Sequence, residues 1–261
     1  MLKKLMVHPL MRRMDVNDPQ TTVLRKRVLL EKQFLRRLYQ EWYEALIQAV
    51  PPGEGPVLEL GTGAGFLKEY LPDVITSDLL PLPDLSLVLD GHEMPFRDGC
   101  LRAIVMIDVL HHLPKPRRFL QEAARCVRPG GSVAMIEPWV STWSRLVYTK
   151  LHHEPFHPEA AQWEFSASGP LSGANEALPW IMFERDRPRF AEEFPEWRVK
   201  SIVPDMPLAY VLSGGVSMRA LMPGVAYGLI RRIEGLMEPW MKKCAMFARI
   251  VLERLNHGSE K

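Results

Sequence analysis

A chain of 261 residues, 47% apolar and 25% charged, has the composition of an ordinary soluble globular domain with elaborations and is long enough for a proper core. Its formal net charge of +2 decides nothing about nucleic acid, and no nucleic-acid partner is expected. Cys100, Cys126 and Cys244 are odd in number, scattered and outside any C-x-x-C spacing, which argues against a disulfide framework or a thiolate zinc site and for a reducing, cytoplasmic compartment.

Residues 1–20 read as a loose arm ending in the turn or cap signal Asn17-Asp18-Pro19. His8-Pro9 interrupts the apolar stretch within Met1–Met14, so no secretory signal is expected. Residues 1–50 carry ten Lys/Arg against five Asp/Glu, a basic arm suited either to an anionic lipid surface or acidic partner, or simply to a solvated helix face. From Thr22 to Val50 the spacing predicts one long amphipathic helix. Phe34, Leu35, Leu38, Trp42, Leu46 and Val50 recur at steps of three and four, with Tyr39, Tyr43 and Ile47 widening the stripe. Such a stripe packs into a core, and Tyr39, Trp42 or Tyr43 is placed to line a pocket as well. Pro51–Pro56 ends the helix, and the main domain is expected over 51–255.

Val57–Leu60 is a short buried strand, followed by Gly61-Thr62-Gly63-Ala64-Gly65 and a helix over Phe66–Leu71. Val74–Ser77 makes a second strand ending at Asp78, Leu85–Leu89 a third ending at Asp90-Gly91, and Ala103–Ile107 a fourth, uniformly apolar. Pro116–Val127 is helical, Arg128-Pro129-Gly130-Gly131 stops it, and Ser132–Ile136 is a fifth strand ending at Glu137-Pro138. This rhythm implies an α/β fold with an open, mostly parallel, doubly wound sheet.

Residues 139–195 lose the rhythm and form an insertion, a lid or acceptor wall, holding Trp139, Trp143, Trp163 and Trp180. Trp139 and Trp143 suit the wall of an acceptor pocket and core packing equally. The run His152-His153-Glu154 to His157 has no recognised ligand spacing, and no metal is expected. Trp197–Val203 is a sixth strand, 220–243 is largely helical, Ala245–Leu252 is a last strand, and the tail frays from Asn256. Met206–Ile230 comes nearest to a membrane span, but Pro207, Gly214-Gly215 and Pro223-Gly224 break it, leaving peripheral contact as the membrane role it permits.

Glycine at 61, 63 and 65 lets the main chain lie against a ligand. Asp78, at the end of the second strand, is placed to accept both hydroxyls of a ribose, and an acid at Asp90 to accept from an adenine amine, with Met94 and Phe96 as apolar cover. The turn is Gly-x-Gly-x-Gly, not the Gly-x-Gly-x-x-Gly of nicotinamide dehydrogenases.

In order and spacing, residues 55–138 resemble the class I S-adenosylmethionine-dependent methyltransferases, above all the ubiquinone/menaquinone-biosynthesis branch. Glu59 through Gly65 is similar to the family's glycine motif with its preceding acid. Asp90 through Phe96 resembles its Asp-Ala-x-x-Leu-Pro-Phe element, Asp108 through Leu113 its motif after strand four, and Arg128 through Gly131 its Lys/Arg-Pro-Gly-Gly turn. The resemblance implies a Rossmann-like sheet of seven strands, the last antiparallel, with S-adenosyl-L-methionine as cofactor. It implies that Glu59 and the backbone of Gly61, Thr62, Gly63 and Gly65 hold the methionine moiety. Asp78 and Leu79 would hold and cover the ribose and adenine. Asp90 and Gly91 would read the adenine edge beside His92, where the family often has a less bulky or acidic residue. Ile107 and Asp108 would close over the sulfonium.

Methyl transfer from a sulfonium needs mainly alignment and exclusion of water, with a base only where the acceptor must lose a proton. The base candidates are His111, His112 and Glu137; the alternative for the histidines is packing and a backbone hydrogen bond. The expected activity is methyl transfer to a small, apolar or lipid-linked acceptor, at the membrane periphery if the basic arm and the 206–230 stretch act together. The alternative is a catalytically silent scaffold that still binds the cofactor.

Overall fold

The computed structural model describes residues 7–11, 14–15, 17–150, 154–167, 169 and 173–256. Most of the arm's first turns, including Lys3, Lys4, Arg12 and Arg13, lies outside them, as do His152, His153 and the tail beyond Asn256.

Two helices, α1 (Pro19–Glu31) and α2 (Gln33–Ala49), replace the single one expected. Asp18 caps α1 by accepting from the Gln20 amide at 2.9 Å. The break falls at Lys32, whose backbone leaves the helical region at φ −87°, ψ 88°. Its ammonium donates to the carbonyls of Gly215 and Met218, tying the helix junction to a loop nearly two hundred residues downstream. Periodicity carries no trace of such a distant partner.

The strands are β1 (Val57–Leu60), β2 (Ile75–Asp78), β3 (Leu87–Val88), β4 (Leu101–Ile107), β5 (Val127–Pro138), β6 (Trp197–Asp205) and β7 (Phe247–Arg254). They form one seven-stranded sheet in the order β3-β2-β1-β4-β5-β7-β6. β3, β2, β1, β4 and β5 pair in parallel, and β7 inserts antiparallel between β5 and β6. Alternate residues feed opposite layers. Leu58, Leu60, Ile104, Met106, Val133 and Met135 face a core completed by α3 (Pro116–Cys126) and by Phe183, Phe190 and Phe194. Val57, Ala103, Val105, Ala134 and Ile136 face the other, completed by Phe34, Leu38, Trp42 and Leu46 of α2. Cover on both faces is why these strands read as unbroken apolar runs.

Three local expectations are corrected. The helix over Phe66–Leu71 is a single 3-10 turn, Leu67–Glu69, with Pro72 right behind it to disfavour helical backbone at Leu71. The third strand is only Leu87–Val88. The Arg128–Gly131 turn lies inside β5: Leu101 pairs with Val127 and Ala103 with Ser132, so the four residues between are extruded as an irregularity.

After β5 come α4 (Thr142–Lys150), a short α5 (Leu178–Trp180) running into a π-helical turn (Ile181–Arg185), and α6 (Arg187–Glu193). Between β6 and β7 lie α7 (Ala209–Ser213), α8 (Tyr227–Leu236) and α9 (Met241–Cys244). Buried Glu234 of α8 accepts from the Leu208 and Ala209 amides, each at 2.7 Å, at the start of α7. Arg231 binds Glu41, Asp205 and Glu234 together, joining α8 to α2 and β6. These bonds fix the 206–221 segment above the sheet.

Candidate active site

The strand order reverses at β1, whose neighbours β2 and β4 lead away in opposite directions. Ligands bind such sheets at the crevice this opens beyond the strand ends. A cavity of about 770 Å³ lies there, bounded by the ends of β1, β2 and β4 below and by α1, Val147, Tyr148, Lys150, Glu154 and residues 210–221 above.

The glycine loop forms its floor. Gly61 has φ +70°, and a Cβ there would meet Val109 Cγ2 at 2.5 Å. A Cβ on Gly65 would come within 2.7 Å of both the Thr62 carbonyl and the Tyr43 hydroxyl. Without a helix behind it the loop is braced by other means. Thr62 N–H donates to Ser77 O, Gly63 N–H to Asp78 Oδ2, and Phe66 N–H to the Tyr43 hydroxyl. These three amides are therefore held by the protein itself.

Acids stand around this floor. Glu59 is buried and accepts from Thr62 Oγ1 at 2.8 Å; burial pushes its carboxyl up to about 7. Asp78 accepts from Gly63 N and Leu80 N, each at 2.9 Å, and burial raises its pKa too. Asp90 Oδ1 meets His92 Nδ1 at 2.6 Å, and Gly91 leaves room for Leu60, whose Cδ2 would lie 3.0 Å from a Cβ. The Asp90 loop is clamped from α3, where Glu122 accepts from Met94 N and Arg125 donates to the Met94 and Phe96 carbonyls. Leu79 is 44% exposed at the rim. Asp108 follows Ile107 in the left-handed region at φ +63°, and burial lifts its carboxyl to about 7. Every residue that the resemblance assigned to the cofactor lines this cavity.

The base candidates separate. Glu137 is fully buried; Oε1 accepts from the Val109 and Leu110 amides at 2.9 and 2.7 Å, and Oε2 meets His111 Nδ1 at 2.8 Å. It positions His111 and the turn after β4 and is not among the residues that border the cavity. His111 is likewise enclosed, at 1% exposure. Burial opposes charge on it, but the hydrogen bond with Glu137 and the nearby Glu154 and Asp108 carboxylates prevail and hold its pKa well above the usual imidazole range. His112 does face the cavity; burial and the adjacent His111 lower its pKa to about 4.

Residues 58–135 match the family model described as a methyltransferase domain. The seven-stranded sheet is the Rossmann-like methyltransferase fold. An uncharacterized methyltransferase of Mycobacterium tuberculosis is 29% identical over 121 residues, 41% of this chain and 49% of that one. The chain spans about half the length of the curated relatives it matches. Among solved structures, the geranyl diphosphate C-methyltransferase of Streptomyces coelicolor, in complex with Mg2+, geranyl diphosphate and S-adenosyl-L-homocysteine, superposes with TM-score 0.50 at 12% identity, covering 95% of this chain and 89% of that one. A methyltransferase of Haloferax volcanii, in complex with its activator protein, gives TM-score 0.50 at 16% identity over 83% of this chain and 91% of that one. At such identities the likeness is one of fold.

Part of the cavity is drawn from residues with no motif. Thr22 and Arg25 of α1, Tyr148 and Glu154 of the insertion, and Tyr210 of α7 all reach it, as do Tyr39 and Tyr43 of the aromatic stripe. Trp42 does not: it packs against Phe247 and Tyr210. Trp139 joins the core and Trp143 donates to Pro207 O, so neither walls the cavity. Only tertiary contact could have found Thr22 and Arg25, whose Oγ1 and Nε are buried without a hydrogen-bond partner among the described residues.

Proposed function

We propose that this protein transfers a methyl group from S-adenosyl-L-methionine to a small, apolar acceptor held at a membrane surface. The observation that carries the reading is the convergence of Glu59, the glycine loop, Asp78, Asp90 and Asp108 on a single cavity at the strand-order reversal. Glu59 and the loop take the methionine end, Asp78 the ribose, and Asp90, Gly91 and His92 with Leu79 the adenine. Ile107 and Asp108 lie against the sulfonium.

Bound there, the donor would supply a methyl group already activated by its sulfonium, to be taken by a nucleophilic O, N or C atom of the acceptor. The protein's work is to hold that atom, the methyl carbon and the sulfur in line and keep water away. Val147, Tyr148, Tyr210, Val211 and Leu221 form an apolar acceptor wall. A proton-bearing acceptor would pass its proton to the Asp108 carboxylate, which borders the cavity.

Support for the membrane setting comes from a stripe of exposed apolar residues: Leu221, Val225, Leu229, Ile233, Leu236 and Trp240. They follow helical spacing along α8 and its flanks, with Arg232, Lys242 and Lys243 exposed beside them. Leu221 belongs to both stripe and cavity wall. No helix among the described residues is long and apolar enough to cross a membrane.

The test is incubation with methyl-labelled donor and separate lipid and water-soluble metabolite extracts, followed by mass spectrometry. Labelled product is expected in the lipid fraction. Label appearing only in water-soluble metabolites overturns the acceptor class, and label in neither overturns the activity.

A further inference from the structure

The corner of the cavity under residue 154 holds an arrangement that methyl transfer does not require. His111 Nδ1 faces the carboxylate of Glu137 at 2.8 Å, and His112 Nδ1 faces the carbonyl of Gly173 at 3.2 Å. Both partners only accept as placed, so each Nδ1 carries its hydrogen and each Nε2 is the free end of its ring. The two Nε2 atoms converge on one oxygen: His111 Nε2 lies 3.6 Å from Glu154 Oε2, and His112 Nε2 lies 3.7 Å from it. All three atoms fall within 4.8 Å of one another. Among the described residues, buried His111 Nε2 has no hydrogen-bond partner.

Ligands about 2.1 Å from a tetrahedral zinc-like ion stand about 3.4 Å apart, close to the spacing seen here. Hydrogen bonding of the distal ring nitrogen to a carboxylate or carbonyl is the outer-shell pattern that orients metal-binding histidines. His112 and Glu154 border the cavity, so a fourth coordination position would open toward the acceptor.

We propose that His111, His112 and Glu154 bind a divalent transition-metal ion of the zinc class, with its open position facing the acceptor site. The ion takes a hydroxyl or other oxygen of the acceptor and fixes it beside the methyl donor. Two nitrogens and one carboxylate oxygen favour Zn2+, Co2+ or Fe2+ over Mg2+ and Ca2+. Sequence inspection misses the site because two ligands are adjacent after β4 and the third arrives from the insertion more than forty residues later. Its ligands are distinct from Glu59, Asp78 and Asp90, so it stands apart from the donor reading except in the role given to the open position.

The probe is Co2+ added to the full-length protein after chelator treatment, followed by its visible absorption, with S-adenosyl-L-homocysteine titrated calorimetrically into the same samples. One equivalent of Co2+ is expected to bind with the intense band of a four-coordinate ion, and Zn2+ should displace it. His112→Ala and Glu154→Gln should each weaken binding at least tenfold, with an unchanged circular-dichroism spectrum and melting temperature as evidence of an intact fold. Glu137→Gln, which disturbs only the support of His111, should weaken it by about tenfold to a hundredfold. Absence of saturable Co2+ and Zn2+ binding in the wild-type protein overturns the proposal and leaves a proton on His111 facing Glu154. Undiminished binding in both His112→Ala and Glu154→Gln also overturns it. Intact metal binding without S-adenosyl-L-homocysteine binding would sink the donor assignment and leave this site standing.

Discussion

Asp78 Oδ2 accepts the amide hydrogen of Gly63 at 2.9 Å, so the acid that ends β2 also sets the tip of the glycine loop. Its other oxygen accepts from Leu80 N at 2.9 Å. Both oxygens must be acceptors, which an amide cannot supply. Asp78→Asn is expected to place an NH2 against a backbone N–H and cost about 1–3 kcal/mol of stability. Donor affinity should fall about tenfold or more with it. Denaturant unfolding and calorimetry on the same preparation measure the two effects.

Two glycines of the loop should respond differently. A Cβ on Gly65 collides with the Thr62 carbonyl and the Tyr43 hydroxyl, and the latter anchors Phe66 N–H at 2.8 Å. Gly65→Ala is expected to lower stability by about 2 kcal/mol, as an overpacked site does. A Cβ on Gly63 meets only Gly61 O, at 3.8 Å, but must adopt φ +51°. Gly63→Ala therefore costs about 1 kcal/mol of backbone strain, and its methyl group enters the cavity. Weak donor binding with a nearly unchanged melting temperature is the expected signature at 63, and a large melting shift the signature at 65.

Burial holds the Glu59 carboxyl at about 7, opposed in part by the Thr62 hydrogen bond and Lys26, and reinforced by Asp78. The unfolded chain releases this proton near 4.5. Between those values the folded state binds more protons, so the stability of the unliganded protein falls as pH rises through that window and then levels off. A cationic ammonium beside Glu59 prefers the ionised form, so donor binding should strengthen as pH rises through about 7. From about pH 6 to about pH 8 a gain of several-fold to tenfold in affinity is expected. Calorimetry of Glu59→Gln over the same range should show weak binding with that rise gone.

The exposed stripe along α8 is tested by Leu229→Glu with Leu236→Glu. Leu229 and Leu236 are 61% and 77% exposed, so the double variant should keep its stability within about 0.5–1 kcal/mol. Sedimentation with vesicles of phosphatidylglycerol and phosphatidylcholine should decline severalfold relative to wild type. Equal sedimentation of the two proteins would remove the membrane surface from the account.

The sheet was legible because both its faces are covered, which leaves apolar runs in its central strands such as Ala103–Ile107. Asp78 and Asp90 were legible because strand ends fix where an acid must stand. What stayed hidden depends on contacts remote in sequence. Lys32 breaks a helix to reach Gly215 and Met218, and Arg125 holds the Asp90 loop from α3. Glu137, a base candidate at a strand mouth, is faced by three N–H groups that its position in the sequence does not reveal. Thr22, Tyr148 and Glu154 reach the cavity from segments whose local pattern gives no hint of a ligand.

The most direct measurement is calorimetric titration of S-adenosyl-L-homocysteine into the wild-type protein and into Asp78→Ala. One-to-one binding is predicted for the wild type, with Asp78→Ala at least tenfold weaker while remaining folded. A folded wild-type protein that takes up no ligand, or an Asp78→Ala variant that binds as tightly, would contradict the assignment of this cavity to the methyl donor.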